Sequence, residues 1–279
     1  MSQIACIQTS SGPDPDANWT QVQALIRQAH AQGAELVALP EVVDFNDDRS
    51  ESFQRYARPV AEHVAIRRFA ALAAELRVWI LAGSMTVRAG NGKLANRTLV
   101  FDTAGSIVAQ YDKIHLFDTG MVGDKASKES NIFEAGDRAV VLDTPIGRVG
   151  LSICYDLRFP HLFRDLAKAG AEILAVPSNF LPITGAAHWH VLLRARAIET
   201  GAYVVAPAQC SECRPGHRSY GHTLIVDPWG AVLADGGGDS VGVVFAEVDR
   251  ARIGEVRERI RSLAHDRPFR SAASHFALK

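Results

Sequence analysis

Short apolar runs alternate with amphipathic segments along the chain, and the alternation occurs twice. Residues 32–41 (QGAELVALPE) and 169–178 (AGAEILAVPS) share a glycine, an Ala-Glu pair and an apolar run that ends at a proline. Glycine is favoured just past a helix end, and an apolar run of this length is typical of a buried strand. Both segments are therefore predicted to be a helix end followed by a buried strand.

A second internal similarity lies downstream of the first. Residues 98–109 (TLVFDTAGSIVA) and 223–234 (TLIVDPWGAVLA) each contain a strand pattern, an Asp-x-x-Gly turn and a second strand pattern. This arrangement is typical of a β-hairpin. Each half of the chain also opens with an apolar strand pattern, at residues 4–8 and 149–155.

Between these segments each half has a helical pattern followed by another apolar strand. The helical patterns cover residues 60–76 and 189–200. Each half thus has the order strand, helix, strand, helix, strand, hairpin, which predicts an α/β fold with helices packed on a sheet. Two such halves would bury their free sheet faces against each other. We predict a single domain over residues 1–279, a four-layer α-β-β-α sandwich with internal pseudo-twofold symmetry.

The last part of the chain is predicted to be more polar and more exposed. Arginine and glutamate alternate over residues 251–260, which is typical of a solvated helix. The tail from about residue 262 is expected to pack on a partner subunit.

Composition and charge exclude several classes of protein. The chain has 279 residues, 47% hydrophobic and 22% charged, with a net charge of −1. Nucleic-acid binders normally carry a basic excess, so a small molecule is the expected partner. The longest uncharged stretch, residues 173–193, is interrupted by proline, glycine, asparagine and histidine, so no membrane span is expected. The first basic residue is Arg27, which argues against a secretory signal and favours the cytoplasm.

The four cysteines, Cys6, Cys154, Cys210 and Cys213, are too few for a disulfide scaffold. Cys154 closes an apolar strand pattern and precedes a helix predicted to start near Pro160. A helix N-terminus lowers a thiol pKa and offers backbone N–H groups to an oxyanion. Cys154 is therefore the candidate nucleophile, with a buried core cysteine as the alternative.

Two charged residues lie at corresponding chain reversals. Glu41 follows a buried strand, and in α/β sheets ligands and catalytic groups gather at the carboxyl ends of strands. Lys113 lies in the apolar and aromatic segment YDKIHLFD, where a cation needs an anionic partner. Alone, each is also compatible with a solvated surface position. Together with Cys154 they favour nucleophilic catalysis, because a thiol needs a base.

Three segments, LPEV, YDKIHLFD and SICYDLRFP, resemble the signature regions of the nitrilase superfamily of carbon–nitrogen hydrolases. The resemblance continues through PSNF, residues 183–210 and SYGHTLIVDPWG, and is closer to the deaminated-glutathione amidases than to the ω-amidases among the Nit-type amidases. It implies an αββα sandwich, a homodimer or higher homo-oligomer, a small-molecule amide substrate, and neither a cofactor nor a metal.

The resemblance also implies roles for individual residues. Glu41 would be the general base, Lys113 the oxyanion-stabilising cation, and Cys154 the nucleophile that forms a thioester. The backbone N–H of Tyr155 would be a second oxyanion donor, and Glu129 would help to order the site. Substrate contacts would come from the segments that hold Arg158, Phe180 and Thr184. The implied substrate is deaminated glutathione or a similar α-keto acid γ-amide, with α-ketoglutaramate as the ω-amidase alternative.

Three other interpretations stay open at this point. The first is a structural zinc site, for which the ligand types are present in Cys210, Cys213, His217 and His222. Their spacing is tighter than in common zinc fingers. A Cys–His hydrolase would draw its base from the ten histidines, which include His115, His161, His188 and His190. A non-catalytic binding module would use none of these groups for chemistry.

Overall fold

Two β-sheets form the centre of the protein. The computed structural model describes residues 2–47, 49–90, 92–120, 127–214 and 217–270. The strands are β1 Ser2–Gln8, β2 Leu36–Ala38, β3 Trp79–Leu81, β4 Met85–Arg88, β5 Leu94–Phe101, β6 Ile107–Asp112, β7 Asp118–Thr119, β8 Ser127–Lys128, β9 Val141–Thr144, β10 Gly147–Leu151, β11 Ile173–Ala175, β12 Tyr203–Ala206, β13 Cys210–Arg214, β14 His217–Tyr220, β15 Leu224–Val226, β16 Val232–Asp235 and β17 Gly242–Val248.

Six α-helices and three short 3₁₀ helices are found in the described part of the chain. The α-helices are α1 Pro15–Ala31, α2 Ser50–Tyr56, α3 Val64–Leu76, α4 Pro160–Lys168, α5 Pro182–Thr200 and α6 Arg250–Arg259. The 3₁₀ helices are Val60–Glu62, Glu129–Asn131 and Cys154–Arg158. None of these helices is long and apolar enough to cross a membrane.

The two large sheets repeat one topology. The first has the order β17-β1-β2-β3-β5-β4, with β6 also paired to β5, and the second has the order β16-β15-β12-β11-β10-β9. Each sheet contains three adjacent parallel strands, β1-β2-β3 and β10-β11-β12, and each half ends in an antiparallel hairpin, β5-β6 and β15-β16. The predicted order of elements in each half is confirmed.

Strand β1 shows how the layers are packed. Ile4 and Cys6 point to one side, into the apolar cluster that also contains Leu151 of the second sheet. Ala5 and Ile7 point to the other side, into the cluster formed with helices α1 and α3. Alternate residues of a strand face opposite sides of the sheet, so β1 is covered on both faces. The predicted helix–sheet–sheet–helix sandwich is confirmed.

Two helices differ from their predicted limits. Helix α5 begins at Pro182 rather than at residue 189. Proline is favoured at the start of a helix because its backbone angle already suits the first turn. The N–H group that proline lacks would have no intrahelical acceptor at that position. The pattern predicted as one helix over residues 60–76 is a 3₁₀ turn followed by α3, separated by His63 in an extended conformation.

The C-terminal helix is present, but it is not only solvated. One face of α6 is buried, and the Arg257 guanidinium donates 3.2 Å and 2.6 Å hydrogen bonds to the carbonyls of Thr200 and Ala171. Beyond it, Asp266 pairs with Arg164 and Lys168 of α4. The start of the predicted partner-binding tail therefore packs on its own chain, and residues 271–279 lie outside the described residues.

Candidate active site

The three residues singled out as a catalytic set lie just past strands of the two facing sheets. Glu41 follows β2, Lys113 follows β6 directly, and Cys154 lies three residues past the end of β10. They are 5%, 2% and 7% exposed, respectively. A carboxylate, an ammonium and a thiol are thus collected in the interior, where charges require partners.

Lys113 is held between two carboxylates. Its Nζ atom lies 2.9 Å from Oε1 of Glu41, and 3.1 and 2.9 Å from Oε1 and Oε2 of Glu129. The side-chain amide of Asn96 donates to Oε1 of both carboxylates, at 3.0 and 3.2 Å. The backbone N–H of Phe117 donates to Oε2 of Glu129 at 2.6 Å. The buried charges are therefore matched by short hydrogen bonds from several elements.

The surroundings keep the Lys113 side chain charged. Burial alone would lower its pKa, but the negative charges of Glu129 and Glu41 outweigh burial and raise the pKa well above the usual value. An ammonium that stays protonated is a fixed positive charge in a water-poor site, where it acts strongly on nearby negative charge.

The sequence pattern predicted that Cys154 ends its strand, and the structure shows that it does not. Strand β10 stops at Leu151, and Cys154 is the first residue of a 3₁₀ helix, in the left-handed region with φ of +48°. Its backbone N–H donates to the carbonyl of Pro177 at 2.9 Å. A left-handed conformation at a non-glycine residue is strained and is often found at functional sites. The sharp turn puts this residue between the two sheets.

The predicted lowering of the thiol pKa is wrong. Burial, followed by the negative charge of Glu41, raises the pKa of Cys154 well above its usual value, and the opposing effect of Lys113 is smaller. The thiol also hydrogen-bonds with the Glu41 side chain. Cys154 is consequently a neutral thiol in the resting site, in contact with a carboxylate that can take its proton.

Glu41 is fixed by groups that the sequence reasoning missed. Its Oε2 atom accepts from the backbone N–H of Asn179 at 2.9 Å, and its backbone carbonyl accepts from Nε2 of Gln209 at 2.8 Å. Ser219 in turn donates to the Asn179 side chain at 2.6 Å. The internal repeat could have revealed Asn179, because it follows the residue that corresponds to Glu41 in the second half of the chain.

A buried aspartate connects the Cys154 turn to the segment around β6. Asp156 is fully buried, and its Oδ2 atom accepts from the Tyr111 hydroxyl at 2.6 Å and from the Ile153 backbone N–H at 2.8 Å. Its Oδ1 atom accepts from the His115 backbone N–H at 3.0 Å and lies 2.7 Å from His115 Nδ1. These charge-assisted contacts hold the turn in place.

The predicted substrate residues form two separate environments. The Arg158 guanidinium lies over the rings of Tyr155 and Phe180, 5.9 and 5.5 Å from their centroids, and 3.2 Å from Nδ1 of His188. Arg158 is half-buried. Thr184 is buried, and its hydroxyl donates to a backbone carbonyl of the preceding turn at 3.3 Å. The structure therefore brings Arg158 and Phe180 together and leaves the Thr184 hydroxyl occupied.

Two residues of the alternative zinc site, Cys210 and His222, lie in different surroundings. Cys210 is fully buried, whereas the His222 ring contacts Asp235 on another strand. The side chains of Cys213 and His217 lie outside those described. For the Cys–His alternative, His115 is engaged with Asp156 as above, and the charged groups that act on the Cys154 thiol are Glu41 and Lys113.

A two-sheet sandwich with a buried thiol, a carboxylate and an ammonium at strand ends fits a hydrolase that works through a cysteine. Residues 3–258 match the family model described as carbon-nitrogen hydrolase. The chain therefore belongs to the carbon–nitrogen hydrolase family, as the resemblance of its motifs implied.

Individual relatives are similar over most of their length. The deaminated glutathione amidase of Bos taurus is 39% identical over 270 residues, covering 95% of this chain and 82% of the relative. That of Synechocystis sp. (strain PCC 6803 / GT-S) is 39% identical over 266 residues, covering 94% and 96%. The crystal structure of Saccharomyces cerevisiae Nit3, a member of branch 10 of the nitrilase superfamily, is 28% identical with a TM-score of 0.84, covering 93% and 94%. These likenesses confirm the expected nitrilase-like fold.

Proposed function

We propose that the protein is an amidase that hydrolyses a linear, non-peptide amide bond through a thioester on Cys154. The observation that carries this proposal is the contact between the neutral, buried Cys154 thiol and the Glu41 carboxylate, with the Lys113 ammonium bonded to the same carboxylate. A base, a nucleophile and a cation in one enclosed site are the parts that acyl transfer needs.

In the first half of the reaction, Glu41 takes the thiol proton as the Cys154 sulfur attacks the amide carbon. The carbonyl oxygen becomes an oxyanion, which Lys113 stabilises. When the tetrahedral intermediate collapses, the C–N bond breaks and protonated Glu41 gives its proton to the leaving amine. The acyl group is left on sulfur as a thioester, and Glu41 is again a carboxylate.

In the second half, Glu41 takes a proton from water while the water oxygen attacks the thioester carbon. Collapse of this second intermediate breaks the C–S bond and releases a carboxylic acid. The proton held by Glu41 returns to the Cys154 sulfur, which restores the neutral thiol. Because the raised pKa favours the neutral thiol, the free enzyme returns to its starting protonation state.

The second oxyanion donor is the backbone N–H of Tyr155. The N–H of Cys154 is already bonded to the Pro177 carbonyl, so it is not free for the oxyanion. Tyr155 is the second residue of the 3₁₀ helix, where an N–H has no intrahelical acceptor. Each such donor contributes about 3 kcal/mol to lowering the barrier.

Glu129 is a positioning residue in this scheme. It binds Lys113 through both carboxylate oxygens and is itself fixed by the Phe117 N–H. When Glu41 is protonated, Glu129 remains as the negative partner of the ammonium. The cation therefore keeps its place throughout the cycle.

The proposed substrate is deaminated glutathione or a similar α-keto acid γ-amide. The names of the relatives support it, and the half-buried Arg158 beside Phe180 offers a cation for a substrate carboxylate. Thr184 is proposed to lie in the wall of the substrate pocket. An ω-amidase that acts on α-ketoglutaramate is the second candidate, since the two substrates share the keto-acid end and differ in the amine that leaves.

A direct comparison of substrates tests this assignment. We would measure kcat/KM on deaminated glutathione, α-ketoglutaramate and a simple nitrile, and record intact masses during turnover. The highest value on deaminated glutathione, with an acyl adduct that is absent in Cys154→Ala, is expected. A preference for α-ketoglutaramate would establish the ω-amidase alternative, and a preference for the nitrile would refute the amidase. No turnover and no adduct on any of the three would favour a binding module.

The proposal extends to the surroundings of the enzyme. A catalytic thiol favours a reducing compartment such as the cytoplasm, and Cys6 and Cys154 form no disulfide. Helix α5 exposes the apolar side chains of Ile183 and Val191, which favours a homodimer or larger homo-oligomer. The near-zero net charge supports a small-molecule partner rather than a nucleic acid or a membrane surface. Light scattering after gel filtration would give the assembly size.

A further inference from the structure

A second cluster of ionisable side chains lies outside the candidate active site. It consists of His190 on α5, His222 in the turn after β14, and Asp235 at the end of β16. One potential metal-ligand atom from each of the three lies within 4.8 Å of the others. Their side chains are 34%, 26% and 34% exposed, so an ion from solvent can reach them.

The Asp235 carboxylate lies between the two imidazole rings. Its Oδ2 atom is 3.1 Å from Nε2 of His190, and its Oδ1 and Oδ2 atoms are 2.9 and 3.1 Å from Nδ1 of His222. The ring centroids are 5.1 Å apart with an interplanar angle of 71°. Two imidazole nitrogens and a carboxylate therefore converge on one small region.

Backbone contacts hold His222 in this position. Its N–H donates to the Gly237 carbonyl at 2.7 Å, and its carbonyl accepts from Nε1 of Trp189 at 2.7 Å. Its φ of +55° is in the left-handed region, which is unfavourable for a residue other than glycine. The ring of Tyr220 also stacks on the His222 ring, with centroids 4.6 Å apart. The imidazole is thus directed at the cluster by the local fold.

The carboxylate is held as well. Oδ1 of Asp235 accepts from the backbone N–H of Gly237 at 2.9 Å, within a run of three glycines. At Gly221 a side chain would collide with the carbonyl of Gly238, at 2.3 Å from its Cβ, so the two turns can approach closely only with glycine there. This close approach brings His222 and Asp235 together.

We propose that His190, His222 and Asp235 bind a divalent first-row transition-metal ion, of which zinc is the representative. Two imidazoles and one carboxylate are a common ligand set for such ions, with the remaining position taken by water. Calcium and magnesium prefer oxygen ligands and are disfavoured by this set. With metal–ligand bonds of about 2.1 Å, tetrahedral ligand atoms lie about 3.4 Å apart, close to the separations between Asp235 and each ring.

The ion would bind through Nε2 of His190, Nδ1 of His222 and the Asp235 carboxylate. It would replace the contacts of the carboxylate with both rings and would join three segments that are distant in the chain. An ion that binds only to the folded state stabilises the protein, so it would raise the melting temperature. This site is separate from the amide chemistry and does not depend on the proposed function.

The test is zinc binding to the full chain after removal of metal with a chelator. In the Cys154→Ala background, which removes the catalytic thiol as a ligand, calorimetry should show one zinc ion per chain and melting curves a rise in Tm. His190→Gln and Asp235→Asn should each weaken binding by roughly 100-fold, since loss of even an outer-shell partner costs 10- to 100-fold. The matched control His30→Gln, at an exposed histidine of α1, should bind as the parent does.

Folding of the variants is checked by their melting temperature without metal. Asp235→Asn retains the oxygen that accepts from Gly237, and the His190 side chain is only half-buried, so both variants should match the parent. Cobalt substitution provides a second readout: visible bands without an intense thiolate charge-transfer band are expected. The proposal is overturned if the parent binds no zinc, if His190→Gln and Asp235→Asn bind normally, or if only Cys213→Ser abolishes binding.

Discussion

Replacement of Lys113 by methionine tests the arrangement of charges in the candidate active site. Methionine fills a similar volume but carries no charge, so the carboxylates of Glu41 and Glu129 lose the cation that lies 2.9 Å from each. The substitution therefore removes the proposed oxyanion cation and leaves the buried Glu41 and the half-buried Glu129 carboxylates without it.

Two effects of different size follow. Loss of one oxyanion donor costs about 3 kcal/mol in the barrier, or roughly 10²-fold in kcat, with a smaller effect on KM. Loss of one partner of a buried ion pair destabilises a fold by about 3–5 kcal/mol. Part of this cost is avoided if one carboxyl becomes protonated. The free energy of unfolding of Lys113→Met should therefore be closer to that of the parent at low pH.

The sign of the pH effect follows from linkage. In the variant, burial and mutual repulsion raise the pKa of a folded-state carboxyl above its unfolded value of about 4.3. The unfolded state then loses its proton first as the pH rises, so the stability of the variant falls above about pH 4. The difference in unfolding free energy from the parent is consequently larger at pH 7 than at pH 4.

The assay combines steady-state kinetics with urea unfolding at both pH values. Lys93→Met is the matched control, because Lys93 is exposed and pairs with Glu134 only at the surface, where such pairs contribute little. An unchanged kcat in a folded Lys113→Met enzyme would refute the role of the cation. A stability loss that is the same at pH 4 and pH 7 would refute the account of the two carboxylates.

Three further substitutions test neighbouring contacts. Glu129→Gln keeps a hydrogen-bond acceptor for Lys113 but removes the negative charge. The value of kcat should therefore fall about 10-fold with little change in KM. An equal effect on kcat and KM would contradict a positioning role. Glu41→Gln removes a negative charge that raises the pKa of Cys154. The absorbance of the Cys154 thiolate in the ultraviolet should therefore appear at lower pH than in the parent, although turnover is abolished. A higher thiol pKa in this variant would show that the Glu41 carboxylate does not contact the thiol. Asp156→Asn weakens charge-assisted bonds that hold the Cys154 turn, and the free energy of unfolding should fall by about 2–3 kcal/mol; a variant with parental urea unfolding would contradict this.

The layered fold could be predicted because its pattern is local. The apolar runs, glycines and hairpin turns of each half reflect the side of a strand or helix that is buried, and the repetition showed that two sheets must cover each other. Element boundaries were less certain. Helix α5 begins at Pro182, before the helical pattern at residues 189–200 that predicted it, since proline fits the first turn of a helix.

The candidate site was predictable only in its motif residues. Glu41, Lys113 and Cys154 lie in distinctive segments at chain reversals, whereas Asn96 and Gln209 lie in strands and loops without any signal of their own. The Asn96 amide reaches the Glu41 carboxyl within the first sheet, and the Gln209 amide reaches the Glu41 carbonyl only after the second half of the chain has packed on the first. The exact hydrogen-bond partners of a buried charge are a property of the assembled core.

The thiol pKa and the second cluster depend on tertiary structure in the same way. The sequence placed Cys154 near a helix start and predicted a lowered pKa, but burial and the charge of Glu41 have the larger effect, and both depend on packing. His190, His222 and Asp235 lie on three elements whose contact no local pattern reveals. Sequence alone determined the layers, the repeat and the motif residues, because these follow from local periodicity. Tertiary structure decided the electrostatics, because charges interact through space rather than along the chain.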